Sequence, residues 1–225
     1  MSPPPPLSRR TRRLALLGIT LLLVLVGGLV LVVDFQLKSR AQRMAQSGGK
    51  ALAQVPILDG HIGAHEYSYH YYDKRIRMDL YWKIVQDRIY LALKSPAHGW
   101  EAISLAPIGP QMLGGDILIG YVEGGKVHVR DDFASLPTNH FSDIKLGGTN
   151  DILAAAGSES EQGTIIELER KLTTLDANDR PIGPTDLPVQ LAYASEKDFT
   201  SYHGQNRVSL LINFFTGQVS QVKGP

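Results

Sequence analysis

Seven histidines, four methionines and no cysteine bound the chemistry this chain can carry. Without cysteine there are no disulfides, thiolate metal sites, cysteine nucleophiles or C-x-x-C-H attachment of c-type haem. The redox compartment stays open, because such a chain can work in either environment. His61, His65 and His70 fall within HIGAHEYSYH. On a helix His61 and His65 would share a face, as metal-binding pairs do. Gly63 and the run YSYHYY instead read as a turn entering a strand, where alternate positions face opposite ways. HIGAH also lacks the glutamate of a zinc-peptidase motif, so these histidines are read as surface or rim residues. No G-x-S-x-G occurs, and the serines of GSESE have no local base. GGKVHV has the wrong spacing for a phosphate or dinucleotide loop. Asp131-Asp132, Glu167 and Glu169 read as carboxylates of solvated strand faces; an acidic calcium loop could draw on Asp116, Asp131 or Asp132, although no spacing specifies one.

Two residues remain. Met112 sits inside IGPQMLGG, a Gly/Pro-rich turn ahead of the strand-like run ILIGYV. His203 sits in SYHGQNR, a turn between DFTSY and RVSLLINFF. A thioether paired with an imidazole suits a soft, low-spin iron or copper, and Met/His axial ligation is a known way to hold haem iron and raise its potential. Each residue alone is ordinary, the methionine as a gap-filler and the histidine as a hydrogen-bonded turn residue.

What could bring two such distant loops together is a set of strands. Met78, Leu80, Trp82 and Ile84 alternate with Arg77, Asp79, Tyr81 and Lys83, the period of a half-buried antiparallel strand. QDR follows as a turn and RIYLALK alternates again, so the two runs are expected to pair as a hairpin. WEAISLAP, DILIGYV, KVHVRDD, GTIIELERKL, PVQLAYA and RVSLLINFF supply further strands, with Gly124-Gly125 as a two-residue hairpin turn. Only DILAAAG, Asp151 to Gly157, invites a helical reading. Asn178 to Pro188, with three prolines, reads as a long loop excluded from central-strand pairing. The fold class expected is all-β, a sandwich in which loops at one end can converge.

Composition adds an anchor to this picture. Lys+Arg 23 against Asp+Glu 22 gives no electrostatic case for a nucleic-acid partner. LALLGITLLLVLVGGLVLVV, Leu14 to Val33, carries no charge and is long enough to cross a bilayer. The expected organisation is a Pro/Arg-rich cytoplasmic tail over 1–13, a retained transmembrane helix over 14–33, a juxtamembrane linker over 34–54 and the sandwich over 55–220. The slight excess of arginine before the span favours a single-pass membrane protein whose large domain is extracytoplasmic.

The order HGWEAISLAP, QMLGGDILIGYV, KVHVRDDF, then LERKLTTLDANDRPI, VQLAYAS and DFTSYHGQNRVSLLINFF resembles the DOMON domain, in the form found at the amino terminus of dopamine β-monooxygenase and its relatives. The likeness runs from about Ile57 to Phe215. It implies an Ig-like β-sandwich that binds haem or sugar-like ligands. In cytochrome members a Met and a His hold b-type haem non-covalently; Met112, after Gly99-Trp100, matches the methionine, and His203, before the last strand, matches the histidine. The monooxygenases carry separate copper-binding catalytic domains, and this chain ends soon after the sandwich, so it is not expected to be a complete monooxygenase or an enzyme acting alone.

The leading expectation is therefore a haem b electron-transfer module working with a redox partner protein. An apolar slot between the sheets, lined by Trp82, Trp100, Tyr193 and Phe214, would exclude water from the porphyrin. The alternatives are a non-redox module stacking a sugar or other small ligand on Tyr67, Tyr69, Tyr71 and Tyr72, or a domain that only supports a partner chain.

Overall fold

A computed structural model describes residues 55–109 and 111–222. In β2 (Met78–Val85), Met78, Leu80 and Trp82 are fully buried while Asp79 and Tyr81 between them keep partial exposure, as the alternation predicts. The pattern breaks at Lys83, which is buried and donates its ammonium to the Glu66 carbonyl. Gln86, at φ 57°, turns the chain into β3 (Arg88–Ser95), and the two strands pair antiparallel from Asp79↔Lys94 to Val85↔Arg88. Gly124 and Gly125, at φ 58° and 74°, likewise join β5 (Asp116–Glu123) to β6 (Lys126–Leu136).

The remaining strands are β1 (Tyr69–Asp73), β4 (Glu101–Leu105), β7 (Asn139–Ser142), β8 (Ile152–Ser160), β9 (Gly163–Lys171), β10 (Leu187–Tyr193), β11 (Arg207–Asn213) and β12 (Gln218–Gln221). They form two antiparallel sheets, β1-β2-β3-β9-β8 and β12-β11-β10-β4-β5-β6-β7. The inner faces close over one core that includes Trp82, Leu91, Leu105, Leu118, Leu168, Leu191, Leu210 and Phe214. β4, near the middle of the seven-stranded sheet, is buried on both faces. Its outer side must therefore be covered by something other than the opposite sheet, and that cover positions the candidate site.

Three expectations are corrected here. Asp151 to Gly157 is not helical. It enters β8, which pairs with β9 with one irregularity between Ile152 and Ala154, so ladder bonding to a neighbour overrides the helix preference of its alanines. Pro188 lies inside β10, paired with Leu211, and its carbonyl accepts from Ala106 N at 2.8 Å. The ladder to β4 starts only at Val189, so the missing N–H falls at the strand end. The placement as a single-pass membrane protein is also overturned. Among the described residues the helical element is the four-residue 3-10 turn Asp143–Leu146, and no helix is long and apolar enough to cross a membrane. Their apolar residues are shared among short strands that bury them against each other. The Leu14–Val33 stretch, with the segments assigned to 1–13 and 34–54, lies outside the described residues.

Candidate functional site

The cover on β4 is a second apolar cluster on the outer face of the seven-stranded sheet. Trp100, Ala102, Ile117, Ile119, Ala134 and Ala194 are buried there, with Met112, Tyr121, Ala192 and Phe199 packed against them. Strand register explains the grouping, because Ala192, Ala102, Ile119 and Arg130 stand in one row across four strands. Gln190, Ser104, Ile117 and Asp132 stand in the next row. Four alanines keep this floor low, while loops supply the larger side chains around it.

The loop carrying Met112 is held at several points. Met112 N donates to Pro137 O, Gly114 N to Ala134 O, Ala134 N back to Gly115 O, and Gln190 Nε2 to Gln111 O. Gly115 is required because a Cβ there would stand 2.3 Å from Ser104 Oγ. Met112 is half-buried, its apolar body against the cluster.

The loop carrying His203 descends at the other end of the floor. Asp198 Oδ1 accepts from the N–H groups of Thr200 and Ser201, both at 2.7 Å, and shapes its first turn. Phe199 from this loop packs on Tyr121 at 5.0 Å and lies under the Arg130 guanidinium at 4.4 Å. The His203 ring meets Trp100 edge to face at 6.3 Å, and its Nδ1 is 3.0 Å from the Gly204 carbonyl. A carbonyl can only accept, so Nδ1 carries the proton and Nε2 keeps a free lone pair. Burial is the main cause that lowers the His203 pKa, with the Gly204 hydrogen bond opposing it and the Arg207 charge adding to it, a shift toward the neutral ring that can ligate a metal.

Both candidate ligands thus adjoin one face. Met112 lies by the Ser104 end of β4, through Gly115, and His203 by the Trp100 end. Four residues at a rise of about 3.3 Å each put roughly 13 Å between those ends. The expected lining does not hold as a set. Trp82, Tyr193 and Phe214 belong to the sealed core between the sheets, where Trp82 Nε1 donates to Phe214 O and Tyr193 Oη to Ile76 O. Trp100 alone of the four is on the outer face, and its Nε1 is buried without a partner.

Other sequence candidates are committed elsewhere. Tyr69 stacks on Trp82 at 5.3 Å and donates to Phe215 O, Tyr67 donates to Glu167 and Tyr71 to Asp73. His70 stacks on Tyr81 and bonds Asp79, while His61 and His65 are exposed, so the three do not converge. The carboxylates read as solvated are mostly buried. Asp131 and Asp132 are 2% and 0% exposed, and Glu167 is 0% exposed and accepts from Gly60 N, Asp59 N and Tyr67. Glu169 is half-buried and paired with Arg88. Sequence reasoning passed over Phe199, Gly204, Arg207, the partners His140 and Arg130 of Asp132, and Arg170. One signal was available. Adjacent residues of a strand face opposite ways, so Asp131-Asp132 had to send one carboxylate inward.

A family model described as a DOMON domain matches residues 74–196, a span that includes Met112 and stops short of His203. DBH-like monooxygenase protein 1 of Mus musculus is 28% identical over 131 residues, 57% of this chain and 21% of its own length. The Homo sapiens protein of the same name is 30% identical over 129 residues, 56% of this chain and 20% of its own. The chain thus spans about a fifth of the length of these curated relatives. Among solved structures, the cytochrome b domain of pyranose dehydrogenase from Coprinopsis cinerea aligns with a TM-score of 0.50 and 17% identity, covering 68% of this chain and 84% of that one. At that identity the likeness speaks to the fold.

Proposed function

The chain belongs to the DOMON domain family, and from that premise we propose that the outer face of its seven-stranded sheet binds b-type haem non-covalently for electron transfer. Met112 and His203 are the axial ligands in this reading. The observation that carries it is the placement of His203: its Nδ1 is tied to the Gly204 carbonyl, which leaves Nε2 for a metal beside an apolar floor that Met112 also borders. The residues fit the group. Small alanines form the floor over β4 and Trp100 would supply an aromatic wall, while the side chains now packed on that floor would have to part to admit a flat ring. The fold likeness to a cytochrome b domain supports the same assignment.

Bound haem would supply a reversible one-electron couple. The rest is done by the chain. Gly204 fixes the imidazole tautomer, the anchored loop carries Met112, and Ile117, Ile119 and the alanines form an apolar floor between them. With Met112 and His203 both holding the group, it would serve to pass electrons to a redox partner protein. For the sugar-stacking alternative, the hydroxyls of Tyr67, Tyr69 and Tyr71 are engaged within the sandwich, and Tyr72 is the member of that set that stays exposed.

Titrating the purified chain with haem tests this. One equivalent should bind with a sharp low-spin spectrum, and both Met112→Ala and His203→Ala should lose that spectrum while staying folded. Equal low-spin uptake by both variants would remove the proposal.

A further inference from the structure

At one end of the sandwich, three aspartates converge on the inner side of the seven-stranded sheet. Asp116 opens β5, Asp131 lies opposite Leu118 on β6, and Asp179 comes from the loop before β10. They are 1%, 2% and 6% exposed, and one carboxylate oxygen from each lies within 4.8 Å of the others. Each has Oδ2 satisfied by the protein: Asp116 by Arg170 Nη1 at 2.6 Å and Arg180 N at 2.8 Å, Asp179 by Arg170 Nη2 at 3.3 Å, and Asp131 by Asp151 N at 2.8 Å. Each leaves Oδ1 buried with no partner. Asp143, 1% exposed, also has an unpartnered Oδ1, and its pKa is raised by burial and then by Asp176, Asp179 and Asp116. Thr174 Oγ1, unpartnered as well, stands close enough to Asp179 to ease its charge.

Such an arrangement is costly as it stands. A buried carboxylate oxygen left without a partner loses its hydration and gains nothing for it. Arg170, 1% exposed, offsets one of three negative charges, and the Arg180 guanidinium is turned to Gly114 O and the Phe133 ring. Carboxylates therefore outnumber the guanidinium bonded into the cluster, an excess of acid that a bound cation would discharge. All the free atoms are oxygens, with no imidazole or thiolate among the three residues, which selects hard cations over zinc or copper. Three carboxylates in an irregular cluster suit the flexible coordination of calcium better than the octahedron magnesium demands.

We propose that Asp116, Asp131 and Asp179 form a structural site for a hard divalent cation of the calcium type, tying the start of β5 and the middle of β6 to the loop ahead of β10. Cα–Cβ bonds on β5 and β6 place these groups on the side of the sheet away from Met112 and Trp100, so the site stands independently of the haem reading. Protons are the competing way to discharge the cluster.

Dialysis of the full chain, first against a chelator and then against calcium, tests this by metal analysis and thermal unfolding. Wild type should retain one calcium per chain and melt higher with it, and Asp131→Asn and Asp179→Asn should each lose both effects. Met112→Ala, which tests only the haem face, should retain calcium normally. Wild type that holds no calcium and melts unchanged overturns the proposal, as does full calcium binding by both Asn variants. Should those variants fail to fold, the wild-type metal content alone decides.

Discussion

At the scale of single residues, burial shifts two titratable groups in opposite directions. Burial lowers the His203 pKa, opposed by the Gly204 hydrogen bond and aided by the nearby Arg207, whose Nη1 shares the Gly204 carbonyl with His203 Nδ1. Glu101, next to Trp100 but facing the core, is fully buried and neither oxygen completes a hydrogen bond, although Ser95 lies alongside. Burial is the main cause that lifts its pKa from 4.5 to about 8, with Asp79 adding to it and Ser95 opposing. Because the folded value is the higher one, the folded protein keeps a proton that the unfolded chain has released between those two values. The stabilising contribution is complete below the unfolded pKa and is lost as pH rises through about 8. Urea unfolding should therefore show Glu101→Gln gaining on wild type by a few kcal/mol, roughly, between about pH 5 and about pH 9. A constant difference across that range would mean Glu101 is not buried as a neutral acid.

At the scale of elements, the site depends on how closely backbone segments approach. Trp100 N donates to Glu196 O and Ala194 N to Trp100 O, which fastens the entrance of β4 to the start of the His203 loop. Gly99 permits this, since a Cβ there would lie 2.4 Å from Ala194 O and from Ser195 C. Gly99→Ala must push the two segments apart. It should cost about 2 kcal/mol or more in stability and weaken haem uptake, because Trp100 and His203 shift together. Tight haem binding in a normally stable Gly99→Ala protein would contradict that coupling. Elements of this kind were unevenly legible in the sequence. The Gly124-Gly125 hairpin could be read because its turn chemistry is local. The alanine run from Ala154 to Ala156 could not, because its fate is set by β9, its neighbour in space. β4 was read as a strand, but only the structure shows both of its faces covered.

For the whole molecule, the two sheets divide the work: their inner faces carry stability and one outer face carries the proposed site. Trp82, fully buried, meets Phe214 edge to face at 5.6 Å and donates to its carbonyl. Trp82→Ala should cost about 3–5 kcal/mol in denaturant unfolding. In the fraction that remains folded it should leave the haem spectrum unchanged, which a slot between the sheets would not allow. The sequence made Met112 and His203 visible as residue types in suitable loops. It could not show which face they serve, because Trp82, Trp100, Tyr193 and Phe214 are alike in composition and differ only in the side of the sheet they occupy. The central claim is that Met112 sulfur and His203 nitrogen share one iron. The reduction potential of the haem-loaded protein, measured for wild type beside Met112→His, tests it most directly, since a thioether ligand raises the potential relative to a second imidazole. The account predicts that Met112→His stays low-spin at a clearly lower potential; an identical potential in the two proteins would mean that the sulfur never touched the metal.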